Sequence, residues 1–367
     1  MSKNNPPKAI KTIKVGPKDI SFEEPFIVHL TTANNKIKDA EIELGFLHRG
    51  IEKIATRKNY YQNLGLVERI CGYCSFTHSL AYVQAVENAT EIKVPDRARY
   101  IRTIVAELER LHSHLLWADL VTDRLGFEPF SSHLSHIREG ILDILMHVTG
   151  GRIMYEINTM GGILKDVGNI QPILKQIDYL DDIIKDVLNI FEKNKEVKEN
   201  TKGLGILPRE KAVYLGVVGP TARASGVKMD VRKDTPYAAY AETQSKNYII
   251  SNDCDSYARI YIRFLELQES LDIIKKACID LPKGPISSQE GRIFPQIGEG
   301  IGRVEAPRGE LFHYIITGSG DTPKRLKVKP PTYSNLPALK EMLIGEDKNK
   351  AQLIIASIDP CFSCTER

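Results

Sequence analysis

The sequence predicts an α+β fold that is mainly α, with a core of long helices, a small N-terminal β-sheet, a late β-hairpin, and a metal site joining the N- and C-terminal CxxC motifs. Three observations predict it. Ile173, Ile177, Leu180, Ile184, Val187 and Phe191 recur at alternating gaps of four and three, as do Ile260, Phe264, Leu267, Leu271, Ile274 and Cys278, so each set forms one apolar stripe along a long helix. Ala40, Ile42, Leu44 and Phe46 alternate as a half-buried strand does. Two CxxC pairs, Cys71 with Cys74 and Cys361 with Cys364, stand near opposite ends of a 367-residue chain and offer four thiolates to a soft metal.

Residues 10–47 read as the small β region. FIVHLTT and KIKDAEIELGF form two strands turned at Ala33-Asn34-Asn35, and GPKDISFEEP before them is a loop by its prolines. Residues 50–280 read as the helical core. A helix starts at Pro95 and keeps Ile101, Val105, Leu108, Leu111 and Leu115 in step; SSHLSHIREGILDILMHVTGGRIMYEI continues helical until Gly161-Gly162. KNKEVKEN is a solvated end to the first stripe, and GVVGPTARASGVKMDVRKDTPYAAY is irregular by its glycine, proline and small residues. In residues 281–367, GRVEAPRGELFHY is irregular, LFHYIIT and RLKVK flank TGSGDTP as a hairpin, and NLPALKEML and KAQLIIAS are short helices. With no repeat, low-complexity tract or linker, the whole of 1–367 reads as a single domain.

Composition excludes several classes. Hydrophobic residues at 42% and charged residues at 26% argue against disorder and coiled coils. A net charge of +3, with no basic run interleaved with aromatics, argues against nucleic-acid binding. The start has no apolar signal region and no 18 apolar residues run together, so an unexported, cytoplasmic protein without a membrane span of its own is expected. Six cysteines, four of them paired as CxxC, suit metal or redox chemistry in a reducing compartment better than a disulfide framework.

On spacing alone the four cysteines fit a structural zinc, an iron–sulfur site or a nickel site. Their separation argues against a local zinc knuckle and for a site that ties the fold together. Phe76, Leu80 and Val83 follow Cys74 with helical spacing, which sets that thiol near a helix N-terminus, where the dipole favours a thiolate. His78, four residues on, can reach back toward its sulfur; the simpler reading is a satisfied core histidine. Cys278 continues an apolar stripe as a core residue, and Cys254 is a free thiol near a helix start.

RICGYCSFTH and DPCFSC resemble the two end motifs of nickel–iron hydrogenase large subunits, while GRVEAPRGELFHY resembles the EAPRG segment and HRGIEK the short RGxE stretch of the same family. ERLHSHLLW, TGGRIMYEINTMGG, GPTARASGVKMDVRKDTPYAAY and DSYARIYIRFLELQES resemble the subset related to the quinone-site (49 kDa) subunit of respiratory complex I. Together they resemble the energy-converting, membrane-associated hydrogenases over nearly the whole chain.

The resemblance implies reversible heterolytic cleavage of dihydrogen at a nickel–iron centre whose iron carries carbon monoxide and cyanide. Cys71 and Cys361 would be terminal nickel ligands, and Cys74 and Cys364 would bridge to iron. His78 would donate to a bridging sulfur, and Arg308 would overhang the open coordination position with Pro307 near a cyanide. Asp359 would pair with Arg308. Cys361 would take the first proton and Glu24 would carry it away, although Asp19 and Ile20 depart from the family's pattern and Glu23 stands beside Glu24. Read singly, Arg308 is a surface ion pair, Asp359 a turn residue and Glu24 a solvated acid. Glu52 matches a glutamate that binds magnesium in many relatives, but Arg367 stands where a histidine would help, and arginine cannot ligate a cation.

Implied partners are a small subunit carrying an iron–sulfur cluster and integral membrane subunits of an ion-translocating assembly. The chain would then lie peripherally on the cytoplasmic side of the membrane. The alternative is a complex I-like scaffold in which the cysteines hold zinc and nothing is turned over.

Overall fold

A computed structural model describes residues 11–17, 24–288, 293 and 295–367. The chain opens with an antiparallel sheet of β1 (Lys11–Val15), β2 (Ile27–Ala33) and β3 (Lys36–Glu43). Asn34 and Asn35 join β2 to β3 with φ of 54° and 63°, the left-handed pair that matches the twist of a two-residue hairpin. β1 is an added strand that the sequence reading lacks, and the alternation expected to run through Leu44 and Phe46 stops at Glu43, leaving both side chains exposed.

Helices follow: α1 (Ile51–Ala55), α2 (Tyr60–Glu68), α3 (Ser75–Thr90), α4 (Asp96–Arg124) and α5 (Glu128–Thr149). α4 lies centrally against α5, with Ile101, Val105, Leu108, Leu111 and Leu115 all fully buried. α5 ends at Gly150 rather than at Gly161-Gly162, because Gly150 takes a left-handed φ of 92° and its N–H caps Met146. A short ladder of β4 (Asn158–Thr159) and β5 (Gly162–Ile163) follows.

The two apolar stripes become α6 (Gln171–Lys193) and, later, a long helix at Ser256–Ile279, and every residue of both stripes is buried. KNKEVKEN is not merely a solvated end: Asn194 caps α7 (Lys195–Thr201) by accepting from the Val197 N–H, and Val197 is buried. The stretch read as irregular carries the short helices α8 (Arg209–Tyr214), α9 (Gly219–Arg223), α10 (Val231–Asp234) and α11 (Tyr240–Thr243). It threads Arg223 and Arg232 into the interior, where they pair with Glu107, Asp230, Glu266 and Glu305. The Ser256–Ile279 helix is α12; it packs against both α4 and α6.

A second antiparallel sheet comprises β6 (Glu299–Ala306), β7 (Gly309–Ile316) and β8 (Arg325–Lys329). Here the irregular reading of GRVEAPRGELFHY is corrected, since β6 and β7 form a tight hairpin turning at Pro307-Arg308. Glycines hide the strand in sequence and enable it in space. β6 lies so close to α3 that a Cβ at Gly300 or Gly302 would fall 1.9 or 1.8 Å from the carbonyl oxygens of Ala85 and Ala81. The last segments are α13 (Pro331–Leu343), α14 (Ala351–Ser357) and α15 (Phe362–Glu366), the first two as expected from NLPALKEML and KAQLIIAS.

Candidate metal centre

The first cysteine pair spans the link from α2 to α3, where Cys74 precedes the first turn of α3. That turn has amides with no helical partner, and the buried carboxyl of Glu109 on α4 accepts from two of them, Phe76 N at 2.6 Å and Thr77 N at 3.0 Å. Burial pushes the Glu109 carboxyl up to about 8, against the pull of those amides.

Cys361 and Cys364 flank the start of α15, and the Thr332 hydroxyl accepts from the Cys361 N–H at 3.0 Å. Arg49 stitches the two loops together, donating to the carbonyls of Arg69 and Ile70 at 2.7 Å each and of Ser363 at 3.0 Å.

All four thiols are buried and converge. Cys361 Sγ lies 3.4 Å from Cys71 and 3.1 Å from Cys364, and Cys74 lies 3.4 Å from Cys364. The metal-competent atoms fall into two overlapping triplets, Cys71, Cys361 and Cys364, and Cys74, His78 and Cys364. Hydrogen bonds from Cys361, Cys364 and Cys74 hold the Cys71 thiol well below its usual range, whereas burial and then the neighbouring sulfurs push Cys364 well above. A metal ion must therefore displace protons as it binds.

His78 is fully buried; its ring reaches back into the group of Cys74 and Cys364, and its Nε2 lies 3.4 Å from the Cys364 sulfur. Its Nδ1 lies 3.1 Å from Nε2 of His313 on β7. Burial lowers His78 to about 4, so it is neutral.

Arg308 is not a surface ion pair. Held at the β6–β7 turn beside buried Pro307, its guanidinium donates to the Asp359 carbonyl at 3.0 Å, to Asp359 Oδ1 at 2.7 Å and to Ser113 Oγ at 3.1 Å. It lies 5.7 Å from the centre of the Tyr73 ring. Gly219 and Gly309 admit this turn, because a Cβ on Gly219 would fall 2.4 Å from the Arg308 oxygen. Asp359 takes a left-handed φ of 56° and is buried, with Oδ2 unpartnered among the described residues, so it is no ordinary exposed turn residue.

Glu24 reaches the centre. Its Oε1 lies 3.8 Å from Cys361 Sγ, and Oε2 accepts from the amides of Phe362 and, at 3.1 Å, Ser363. Burial, then the charge of Cys71, raises its pKa against those amides. A small cavity of about 30 Å³, lined by Glu24, Trp117, Arg124 and Asp359 among others, adjoins it. Asp19, Ile20 and Glu23 lie outside the described residues.

Glu52 does not fit a divalent ion. Its Oε1 accepts from Val328 N at 2.9 Å and Arg367 Nε at 3.1 Å, and its Oε2 from Lys327 at 3.1 Å, so two protein cations already compensate it. Cys278 is a fully buried core residue, and Cys254 precedes α12 at a distance in sequence from either pair.

The sequence reading missed His313, Glu109, Ser113, Thr332 and Arg49. For His313 a signal existed: along β7, Leu311, His313 and Ile315 share the buried face, so alternation placed a histidine inside.

The chain matches the family model for the respiratory-chain NADH dehydrogenase 49 kDa subunit over residues 126–297 and 288–367, and that for nickel-dependent hydrogenase over residues 49–118. It is 38% identical to the membrane-bound hydrogenase subunit alpha of Pyrococcus furiosus, over 97% of this chain and 87% of that protein. It is 35% identical to a subunit of the F(420)H(2) dehydrogenase of Methanosarcina mazei, over 97% of each. Among solved structures, a chain of the membrane-bound sulfane sulfur reductase, an archaeal respiratory membrane complex, superposes with a TM-score of 0.93 at 29% identity, covering 98% of both chains. No helix among the described residues is long and apolar enough to cross a membrane.

Proposed function

We propose, since this chain belongs to the family that unites the complex I 49 kDa subunit with the large subunits of membrane-associated nickel–iron hydrogenases, that it is the catalytic subunit of such a hydrogenase. One observation carries the reading: four buried thiols from both ends of the chain meet beside a buried arginine and a buried glutamate. The grouping favours more than a single zinc. A tetrahedral zinc with bonds of about 2.3 Å needs sulfurs roughly 3.8 Å apart on every edge. These sulfurs do not close as one set of four: Cys71, Cys361 and Cys364 group together, and Cys74 groups with Cys364 and the His78 nitrogen, so Cys364 is common to both.

Cys71, Cys74, Cys361 and Cys364 would hold the nickel–iron centre, which when bound supplies the Lewis-acid and redox chemistry for splitting dihydrogen. The chain's own groups then do the following. His78 orients a hydrogen bond to the Cys364 sulfur. Asp359 and Ser113 fix the Arg308 guanidinium rigidly against the site, and Asp359 with the thiolates keeps it charged despite burial. Cys361 Sγ holds the proton released, and Glu24 Oε1 is the acceptor within reach. The adjoining cavity has room for about one or two waters to take that proton onward.

Electrons leave through a partner. Cys254 and Cys278, the remaining cysteines, cannot build a cluster, so a small subunit supplies the iron–sulfur centre. Membrane subunits of an ion-translocating complex would complete the assembly and hold the chain at the cytoplasmic face; the membrane-bound complexes to which its relatives belong support the membrane association. Residues 1–367 act as one domain.

A second reading is a complex I-like scaffold with a structural zinc, favoured by the similar identity to a dehydrogenase component that is not named a hydrogenase. Isotope exchange separates the two. The purified complex under dihydrogen in deuterated water should form HD; a metal-replete complex that forms none is a scaffold.

A further inference from the structure

We propose that His313 is a positioning residue of the metal centre: it donates a hydrogen bond from Nε2 to His78 Nδ1 and thereby fixes His78 as the tautomer whose Nε2–H faces the Cys364 sulfur. The proposal rests on the nickel–iron reading above.

The contact is built by the sheet. His313 lies opposite Gly302 in the β6–β7 ladder, so the two positions share the face turned toward α3, where a Cβ on Gly302 would collide with Ala81. The glycine lets the sheet close on α3, and His313 meets His78 one turn before Ala81. The ring centroids are 5.4 Å apart at an interplanar angle of 60°, with 3.1 Å between His78 Nδ1 and His313 Nε2.

Proton counting sets the direction. Both rings are fully buried and, among the described residues, neither has a carboxylate partner, so each carries one ring proton. Were His78 protonated on Nδ1, it would donate to His313, leaving a bare Nε2 lone pair facing Cys364. The His313 Nδ1–H would then be a buried donor with no acceptor among the described residues. In the reverse arrangement His313 donates, His78 donates onward, and only a lone pair is left unpartnered. Orphaned donors are the rarer defect in folded proteins. A metal-bound sulfur is a thiolate and offers only lone pairs, so the reverse arrangement alone completes the chain of bonds.

A hydrogen bond to the sulfur withdraws electron density from the metals, which the stretching bands of diatomic ligands on iron report without reference to turnover. The test is infrared spectroscopy of the purified complex carrying His313→Leu, His313→Gln, His78→Leu, or both leucines. His313→Leu should displace the bands in the direction of His78→Leu, and His313→Gln, which restores an N–H donor, should return them. Adding His313→Leu to His78→Leu should displace them no further. Wild-type band positions in metal-replete His313→Leu, or additive displacements, overturn the proposal. If the leucine variant does not fold, the glutamine variant decides: wild-type bands support the proposal, and bands displaced as far as in His78→Leu overturn it. A wild-type complex without diatomic bands removes the nickel–iron reading itself, and this proposal with it.

Discussion

The two cysteine loops meet at one site but are held there by different physics. Cys71 and Cys74 sit at the head of α3, 16 residues long and buried along much of its length, whose first amides are satisfied by Glu109 from the central helix. Cys361 and Cys364 sit on α15, five residues long, which has too little surface to anchor itself. Beside the Phe362 ring, which stacks on Phe26 at 4.1 Å, polar contacts from distant segments clasp it: Glu24 on two amides, Thr332 on the Cys361 N–H, and Arg49 on the Ser363 carbonyl. The first loop leans on the packing of a long helix and the second more on a polar clasp around a short one, so substitutions of the supporting groups should not act alike.

The ligands themselves should erase the difference. Cys74→Ser and Cys361→Ser, one from each loop, should both abolish isotope exchange, because an oxygen donor is a poor match to soft nickel and iron. Substantial exchange by either variant would show that its sulfur is not needed, and would break the symmetry of the site.

The supporting carboxyls should separate the loops. Glu24→Gln keeps shape while removing an ionisable group 3.8 Å from Cys361, so turnover should fall roughly a hundredfold or more while the metal content stays normal. Glu109→Gln, at the other loop, should leave turnover per loaded site near normal and cost stability, about 1–3 kcal/mol for a buried amide left with a poorer acceptor. Comparable rate losses in both variants would mean that protons leave on both sides.

Arg308→Lys probes the group that spans the two loops. Lysine cannot match a planar fork bonded to Asp359 twice and to Ser113, so nickel should be retained and turnover should drop roughly tenfold or more, the equivalent of one charge-assisted hydrogen bond. Near-normal turnover would reduce Arg308 to a structural ion pair. Cys278→Ala is the smallest change: a core residue of α12 outside both loops should cost about 1 kcal/mol by thermal melting and leave the metal content unchanged. Loss of metal there would mean the four ligands are misassigned.

How much of this was legible in the sequence follows the same division. Packing writes itself into local periodicity, so α4, α6 and α12 were readable from Leu108, Ile177 and Phe264 and their neighbours at helical spacing. The cysteines and Arg308 were readable through motifs. Close approach erases its own signal: Gly300 and Gly302 let β6 lie on α3 and remove the apolar alternation that marks a strand. Apart from Glu24, the clasp was illegible because Arg49, Thr332 and Ser363 are polar residues of ordinary composition whose partners lie far away in sequence. Nothing in the sequence marks Glu109 as an amide acceptor, and only the arrival of the α3 N-terminus gives it amides to bind.

The central claim is that these four thiols hold nickel and iron rather than zinc. Metal analysis of the purified complex combined with infrared spectroscopy tests it most directly. The account predicts nickel and iron in equal amounts with bands from diatomic ligands on iron, and loss of those bands in Cys364→Ser, whose sulfur belongs to both triplets. Zinc alone, with no such bands, would contradict it.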